Sequence, residues 1–218
     1  MALAMAFATP WSNATAQTPG LYDLDTVREF RLYFSQSNYW TQMRNNYASK
    51  TNIAADLKVD GVTYANVGVR FRGNTSYRRI PAGSEKFGFN IETDFTDPDQ
   101  KLLGYDHLNL NNGYHDPTFM REVITYQIAR RYMCAPQANF VKVYLNDQYW
   151  GIYINVQQPN KDMIEEWFRT NDGSRYRGFP SGGGNFNDSA FNYLGNNPAS
   201  YTRGYEFKDG DGTDLMNF

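Results

Sequence analysis

One cysteine, Cys134, among 218 residues excludes an intrachain disulfide and a cysteine-built zinc site. Two histidines, His107 and His115, leave little material for a histidine-rich metal centre. Basic residues are not in surplus. Lys and Arg number 21 against 23 Asp and Glu, a formal net charge of −2, whereas a general nucleic-acid binder carries a net basic domain. No nucleic-acid partner is therefore expected. No apolar run approaches the ~18 residues of a membrane-spanning helix. The chain also lacks G-x-S-x-G, H-E-x-x-H, a Walker A loop and G-x-G-x-x-G, which removes the commonest hydrolase, zinc-protease and nucleotide fingerprints.

What is present is a globular composition. Hydrophobic residues make up 41% and charged residues 20%. Aromatics reach 17%, with 17 Tyr, 15 Phe and 4 Trp, so the core is expected to be built from rings more than from aliphatic side chains. Residues 1–16, MALAMAFATPWSNATA, are small and apolar and close on Ala14-Thr15-Ala16. They read as the remnant of a secretory signal peptide with an A-x-A cleavage site. The mature chain is then expected over residues 17–218, in an extracytoplasmic setting, secreted or on the cell surface. The end at Asp214–Phe218 carries no tail or turn signal, and the domain is read as partial.

Along the chain, residues 26–47 suggest a surface helix or two. Asp60-Gly61 between alternating segments predicts a hairpin. Val67, Val69 and Phe71 alternate with polar residues, as do Phe87, Phe89 and Ile91, and Leu108 and Leu110, which predicts three half-buried strands. Residues 117–133 read as the long helix, with Asp116 at the N-cap, Pro117 at the first position, and Phe119, Met120, Val123, Ile124 and Ile128 on one face. A hairpin turning at Asn146-Asp147 and a short helix over 161–168 follow. The order predicts an α+β fold, a twisted antiparallel sheet packed with one long helix.

Four features could carry chemistry. Arg72-Gly73-Asn74-Thr75-Ser76 closes a strand with a tight polar turn that could cradle an anion, or is an ordinary Asn/Thr/Ser turn. Lys86, on a strand, and Glu122, two turns into the long helix, could meet as the lysine–glutamate pair with which protein kinases hold nucleotide phosphates, or could be two solvated charges. Gln157-Gln158-Pro159-Asn160, with Asp162 beyond, could be a hinge lining a cleft, or a connector capped by Asn160. Asp209-Gly210-Asp211-Gly212-Thr213-Asp214 could hold a hard cation, or be an acidic turn.

Together these segments resemble the CotH kinase family, named for a bacterial spore-coat protein. The residues that carry the resemblance are V-G-V-R-F-R-G-N-T-S (67–76), Lys86 before F-G-F-N-I, L-N-L-N-N (108–112), D-P-T-F-M-R-E (116–122), V-Y-L-N-D-Q-Y-W-G-I-Y (143–153) and R-Y-R-G (175–178). The resemblance implies an atypical protein-kinase-like fold that transfers phosphate from ATP, with Mg²⁺ or Mn²⁺, to Ser or Thr of secreted or surface proteins. It implies that Arg72, Gly73, Asn74, Thr75 and Ser76 face the nucleotide. Lys86 contacts phosphates with Glu122 as its partner, and Gln158 lies at the hinge. Asn160 stands where the family pattern has a metal-binding carboxylate. The next expected aspartate falls near Ala190, with Asp188 the nearest carboxylate. Asp162, Asp188, Asp209 and Asp211 are all open as general base. The alternative is a non-catalytic surface or coat component on the same scaffold, a pseudokinase or binding module.

Overall fold

The computed structural model describes residues 20–179 and 189–217. The expected signal segment and Asp188 lie outside the described residues. The chain divides into two compact units, Met1–Gln158 and Pro159–Phe218.

In the first unit, seven strands close into a barrel. They are β1 (Arg28–Tyr33), β2 (Ile53–Val59), β3 (Val62–Arg72), β4 (Gly88–Glu92), β5 (His107–Asn111), β6 (Ala138–Leu145) and β7 (Gln148–Gln157). Around the barrel the order is β1-β2-β3-β4-β5-β7-β6. Every neighbouring pair is antiparallel except β1 with β6, which pair in parallel from Arg28↔Val141 to Leu32↔Leu145 and close the sheet. Three short helices accompany the strands: α1 (Tyr39–Asn45), α2 (Thr75–Arg78) and α3 (Met120–Ala129).

The two tight hairpins follow from local chemistry. Asp60 and Gly61 have φ of 51° and 84°, and Asn146 and Asp147 have 47° and 66°. Two successive positive φ values are what a type I′ turn demands, and its twist matches that of the flanking strands. The alternating residues then point inward. Phe30, Leu32, Leu57, Val69, Phe71, Phe89, Ile91, Leu108, Leu110, Val141, Val143 and Tyr153 are all at most 2% exposed and form one core. Side chains therefore fill the interior, as a barrel of this strand number requires. Trp40 of α1 packs edge-on against Phe71 at 4.8 Å and Trp150 at 5.0 Å.

Three expectations need correction. Residues 26–47 are not mainly helical: they supply β1 and only the short α1. The alternation in β1 is masked because Arg28 takes an inward position, where its guanidinium pairs with Asp60 of the β2–β3 turn. The sheet does not present an open face to a long helix but closes on itself. The helix expected over 117–133 is confined to Met120–Ala129, and its N-cap is not Asp116 but Phe119, whose left-handed conformation at φ 60° bars an earlier start. Its expected apolar stripe is mostly outside: Met120, Ile124 and Ile128 are 51%, 46% and 54% exposed, and Val123 alone of the five is buried.

The second unit contains α4 (Lys161–Phe168), a two-stranded antiparallel sheet of β8 (Arg175–Gly178) and β9 (Tyr205–Asp209), and two 3₁₀ helices at Pro198–Arg203 and Thr213–Asn217. Tyr201, Tyr205 and Leu215 form its own small core.

The correction to the helix has a measurable consequence. Phe89→Ala, inside the barrel, is expected to lower unfolding stability by about 3–5 kcal/mol. Ile124→Ala, on the exposed side of α3, is expected to cost no more than about 0.5 kcal/mol. Urea unfolding of both variants checks this; equal losses would restore the packed long helix.

Candidate functional site

At the end of the barrel where β3 and β5 finish, a cleft of about 550 Å³ opens between α2, the 112–116 loop and the start of α3. β3 delivers Arg72 and Gly73, α2 delivers Thr75 and Ser76, β5 delivers Asn111, and α3 delivers Arg121 and Glu122. Gly73 has φ 103°, and a Cβ there would lie 2.2 Å from Ser76 Oγ. Only glycine permits this turn. The Tyr47 hydroxyl donates to the Gly73 carbonyl at 2.7 Å. Buried Asn112 donates to the carbonyls of Ser76 at 3.1 Å and Lys86 at 2.8 Å, tying α2 to the approach of β4.

The polar centre of the cleft is a relay. Arg72 Nη1 donates to Asn111 Oδ1 at 2.6 Å, and Asn111 Nδ2 donates to Glu122 Oε1 at 2.7 Å. Burial pushes the Arg72 guanidinium down from its usual range, and the Glu122 charge opposes that shift. An arginine stays cationic under such a shift, so a largely desolvated positive charge faces the cleft with its plane fixed. Arg121 adds a second guanidinium, which donates to the His115 carbonyl at 3.1 Å. The cleft's other carboxylate, Asp116, is engaged: it accepts from the Thr118 hydroxyl at 2.6 Å and from the Arg121 N–H at 2.9 Å. The Thr118 hydrogen bond, followed by those from the backbone, holds the carboxyl below the usual carboxylate range. Guanidinium groups, hydroxyls and a tight glycine turn around one cleft suit an anionic ligand.

The sequence-expected residues divide around this cleft. Arg72, Gly73, Thr75, Ser76 and Glu122 line it. Asn74, at the head of α2, is exposed and not among the lining residues. Lys86 and Glu122 do not pair. The Lys86 ammonium lies over the rings of Phe119 and Tyr153, at 4.3 and 5.2 Å from their centroids, and burial lowers its pKa. Phe119 and Tyr153 draw it away from the relay, and Glu122 is satisfied by Asn111 instead. Gln158 ends a chain of amides: Asn90 donates to Asn109 at 3.1 Å, and Asn109 donates to Gln158 Oε1 at 2.6 Å.

In the second unit, Asn160 acts as the N-cap of α4. Its Oδ1 accepts the Met163 N–H at 3.3 Å, and its Nδ2 donates to Asp162 at 3.1 Å. The acidic turn is spent locally. The two oxygens of Asp209 meet Lys161 at 3.3 Å and Arg175 at 3.0 Å. Asp211 accepts from the Thr213 N–H and hydroxyl, and those bonds lower its pKa. The cleft residues that sequence reasoning left without a role are Asn111, Asn112, His115 and Arg121, and Asp116 was expected only as a helix N-cap. Their signal was the polar run from Asn111 to Asp116 between a strand and a helix, which reads as an ordinary loop.

A second cleft, of about 540 Å³, runs along β1 and the β2–β3 turn. Four of its five charged residues pair with each other, Arg28 with Asp60 and Arg31 with Glu29 at 2.6 Å, and Lys58 is the fifth, so it offers less to a charged ligand than the first cleft.

Comparison with protein families matches residues 69–218 to the model described as CotH kinase protein. A search of curated proteins gives no match.

Removing the centre of the relay should be felt in stability. Asn111→Leu leaves buried donors of Arg72 and an oxygen of Glu122 without a partner, and is expected to cost about 1–3 kcal/mol. Chemical denaturation measures it; stability equal to wild type would show that the relay is not formed.

Proposed function

The chain belongs to the CotH kinase protein family, and from that premise we propose that it is a protein kinase transferring the terminal phosphoryl group of ATP to Ser or Thr of secreted or surface proteins. The observation that carries the reading is the Arg72–Asn111–Glu122 relay facing the cleft at the end of β3.

Phosphoryl transfer asks for positioning and for charge stabilisation more than for covalent help from the protein. Arg72 meets those demands: it is a planar cation whose orientation Asn111 and Glu122 set before a ligand arrives, so little ordering remains to be done on binding. Thr75 and Ser76 add hydroxyl donors, and Gly73 lets a phosphate approach the backbone closely. Arg121 at the edge of the cleft adds positive charge. Glu122 in this reading positions Arg72, and Lys86 is held over its two rings outside the relay.

ATP use with a divalent metal, Mg²⁺ or Mn²⁺, is what membership of the family suggests. Of the two residues expected to hold that metal, Asp188 lies outside the described residues and Asn160 is occupied locally. The Asn160 amide oxygen accepts the Met163 N–H at the head of α4 and is engaged there. The same observation favours a second reading, a non-catalytic surface or coat component that keeps the cleft but not the transfer. Secretion or surface display belongs to both readings. Among the described residues, no helix is long and apolar enough to cross a membrane.

Calorimetric titration of ATP with Mg²⁺ or Mn²⁺ separates the residue roles. Arg72→Met is expected to weaken binding about 10–100-fold, the worth of a charge-assisted hydrogen bond or two. Lys86→Ala is expected to change it less than Arg72→Met does. Full-strength binding by Arg72→Met would remove the relay from the nucleotide site. Labelled phosphate appearing on a Ser/Thr protein identifies the kinase; ATP binding without transfer identifies the non-catalytic reading.

A further inference from the structure

At the opposite end of β4 and β5 from the cleft, three side chains of metal-ligating type converge. Glu92, the last residue of β4, is in register with His107, the first of β5, and Asp94 follows in the turn. One oxygen of each carboxylate and one ring nitrogen of His107 lie within 4.8 Å of one another. Ligands about 2 Å from a common ion lie within about 4 Å of one another, so a small rotation of these side chains closes the group on an ion.

Each of the three is already oriented or left wanting. Asn52 Nδ2 donates to Glu92 Oε2 at 2.6 Å, fixing that carboxylate and leaving its other oxygen for a ligand. Asp106 Oδ1 lies 3.0 Å from His107 Nδ1. A carboxylate on one imidazole nitrogen fixes the tautomer and leaves the other nitrogen as a lone-pair donor, the arrangement found behind metal-bound histidines. Asp94 Oδ1 is shut off from solvent and has no hydrogen-bond partner among the described residues. A buried carboxylate oxygen without a donor is costly, and a cation removes the cost. Neither Glu92 nor Asp94 forms an ion pair with Lys or Arg among the described residues. The guanidinium whose charge reaches Glu92 is Arg70. Thr93, between the two carboxylates, has its hydroxyl 3.0–3.2 Å from the carbonyls of Gln100, Tyr105 and Asp106, so the turn is anchored where the group forms.

We propose that Glu92, Asp94 and His107 form a site for a divalent first-row metal, with water completing its shell; Zn²⁺ is the ion to test, because a mixed nitrogen and oxygen set binds it more tightly than Mn²⁺ or Fe²⁺. The site lies four residues along β4 from Gly88 at the cleft end, about 13 Å at the usual rise of a strand. It pins the connection between β4 and β5 to the sheet and is separate from the nucleotide cleft.

The test uses the full 218-residue chain, stripped with chelator and then titrated with Zn²⁺ against a chromophoric competitor. Wild type is expected to bind one Zn²⁺ and to unfold at a higher temperature with it. His107→Gln and Asp94→Asn each lose affinity at least about 100-fold, and Asp106→Asn, behind the ligand, loses about 10–100-fold. Glu122→Gln, in the cleft, keeps full Zn²⁺ affinity whatever it does to ATP, so the two sites succeed or fail independently. Absence of stoichiometric Zn²⁺ binding by folded wild type, or binding that His107→Gln and Asp94→Asn leave unchanged, would overturn the site.

Discussion

Closure of the sheet is the constraint on which the first unit depends. β1 pairs antiparallel with β2 on one side and parallel with β6 on the other, so a strand near the beginning of the unit seals a sheet that otherwise ends at β6. A closed sheet leaves no edge strand with unpaired N–H and C=O groups. It also creates an interior that must be filled, and the aromatic surplus of the chain serves that need: Phe30, Phe71, Phe89 and Tyr153 lie in the core with small or branched aliphatic neighbours. With the interior filled by strand residues, the helices are left to the ends and the outside.

Function then collects where strands stop. At one end β3 and β5 bring Arg72 and Asn111 alongside each other, and α3 supplies Glu122 to complete a charged relay in a cleft. At the other end of β4 and β5, Glu92, Asp94 and His107 converge. The same strands thus carry two polar groupings of opposite character. One is rich in guanidinium and hydroxyl donors suited to phosphate; the other is rich in carboxylate suited to a cation.

Much of this was legible in the sequence where the signal is local. Asp60-Gly61 and Asn146-Asp147 announce their turns because those residue types accept positive φ. The alternation of Val67, Val69 and Phe71, and of Phe87, Phe89 and Ile91, announces inward-facing strand positions. β1 was missed because an inward arginine interrupts the apolar alternation, and its ion pair with Asp60 appears only once the hairpin is folded. Closure was missed because a parallel pairing between residues as far apart as Phe30 and Val143 leaves no local trace. α3 was read too long and too buried because periodicity does not say whether a stripe meets a partner. In the site, Arg72 to Ser76 and Glu122 were legible as a turn and a helix carboxylate. The expected partner of Glu122 was Lys86. The structure places Asn111 there instead, since an amide bridging two charges has no pattern of its own, and two aromatic rings hold the lysine elsewhere.

In the function proposed, Arg72 and Glu122 act as one unit on a nucleotide phosphate. A double-mutant cycle on ATP affinity tests it most directly, with Arg72→Met, Glu122→Gln and the pair measured under the same metal and salt. The account predicts that wild type binds ATP and that the two losses are non-additive, with a coupling of about 0.5–3 kcal/mol. Losses that simply add, or a folded wild type that does not bind ATP, would contradict it.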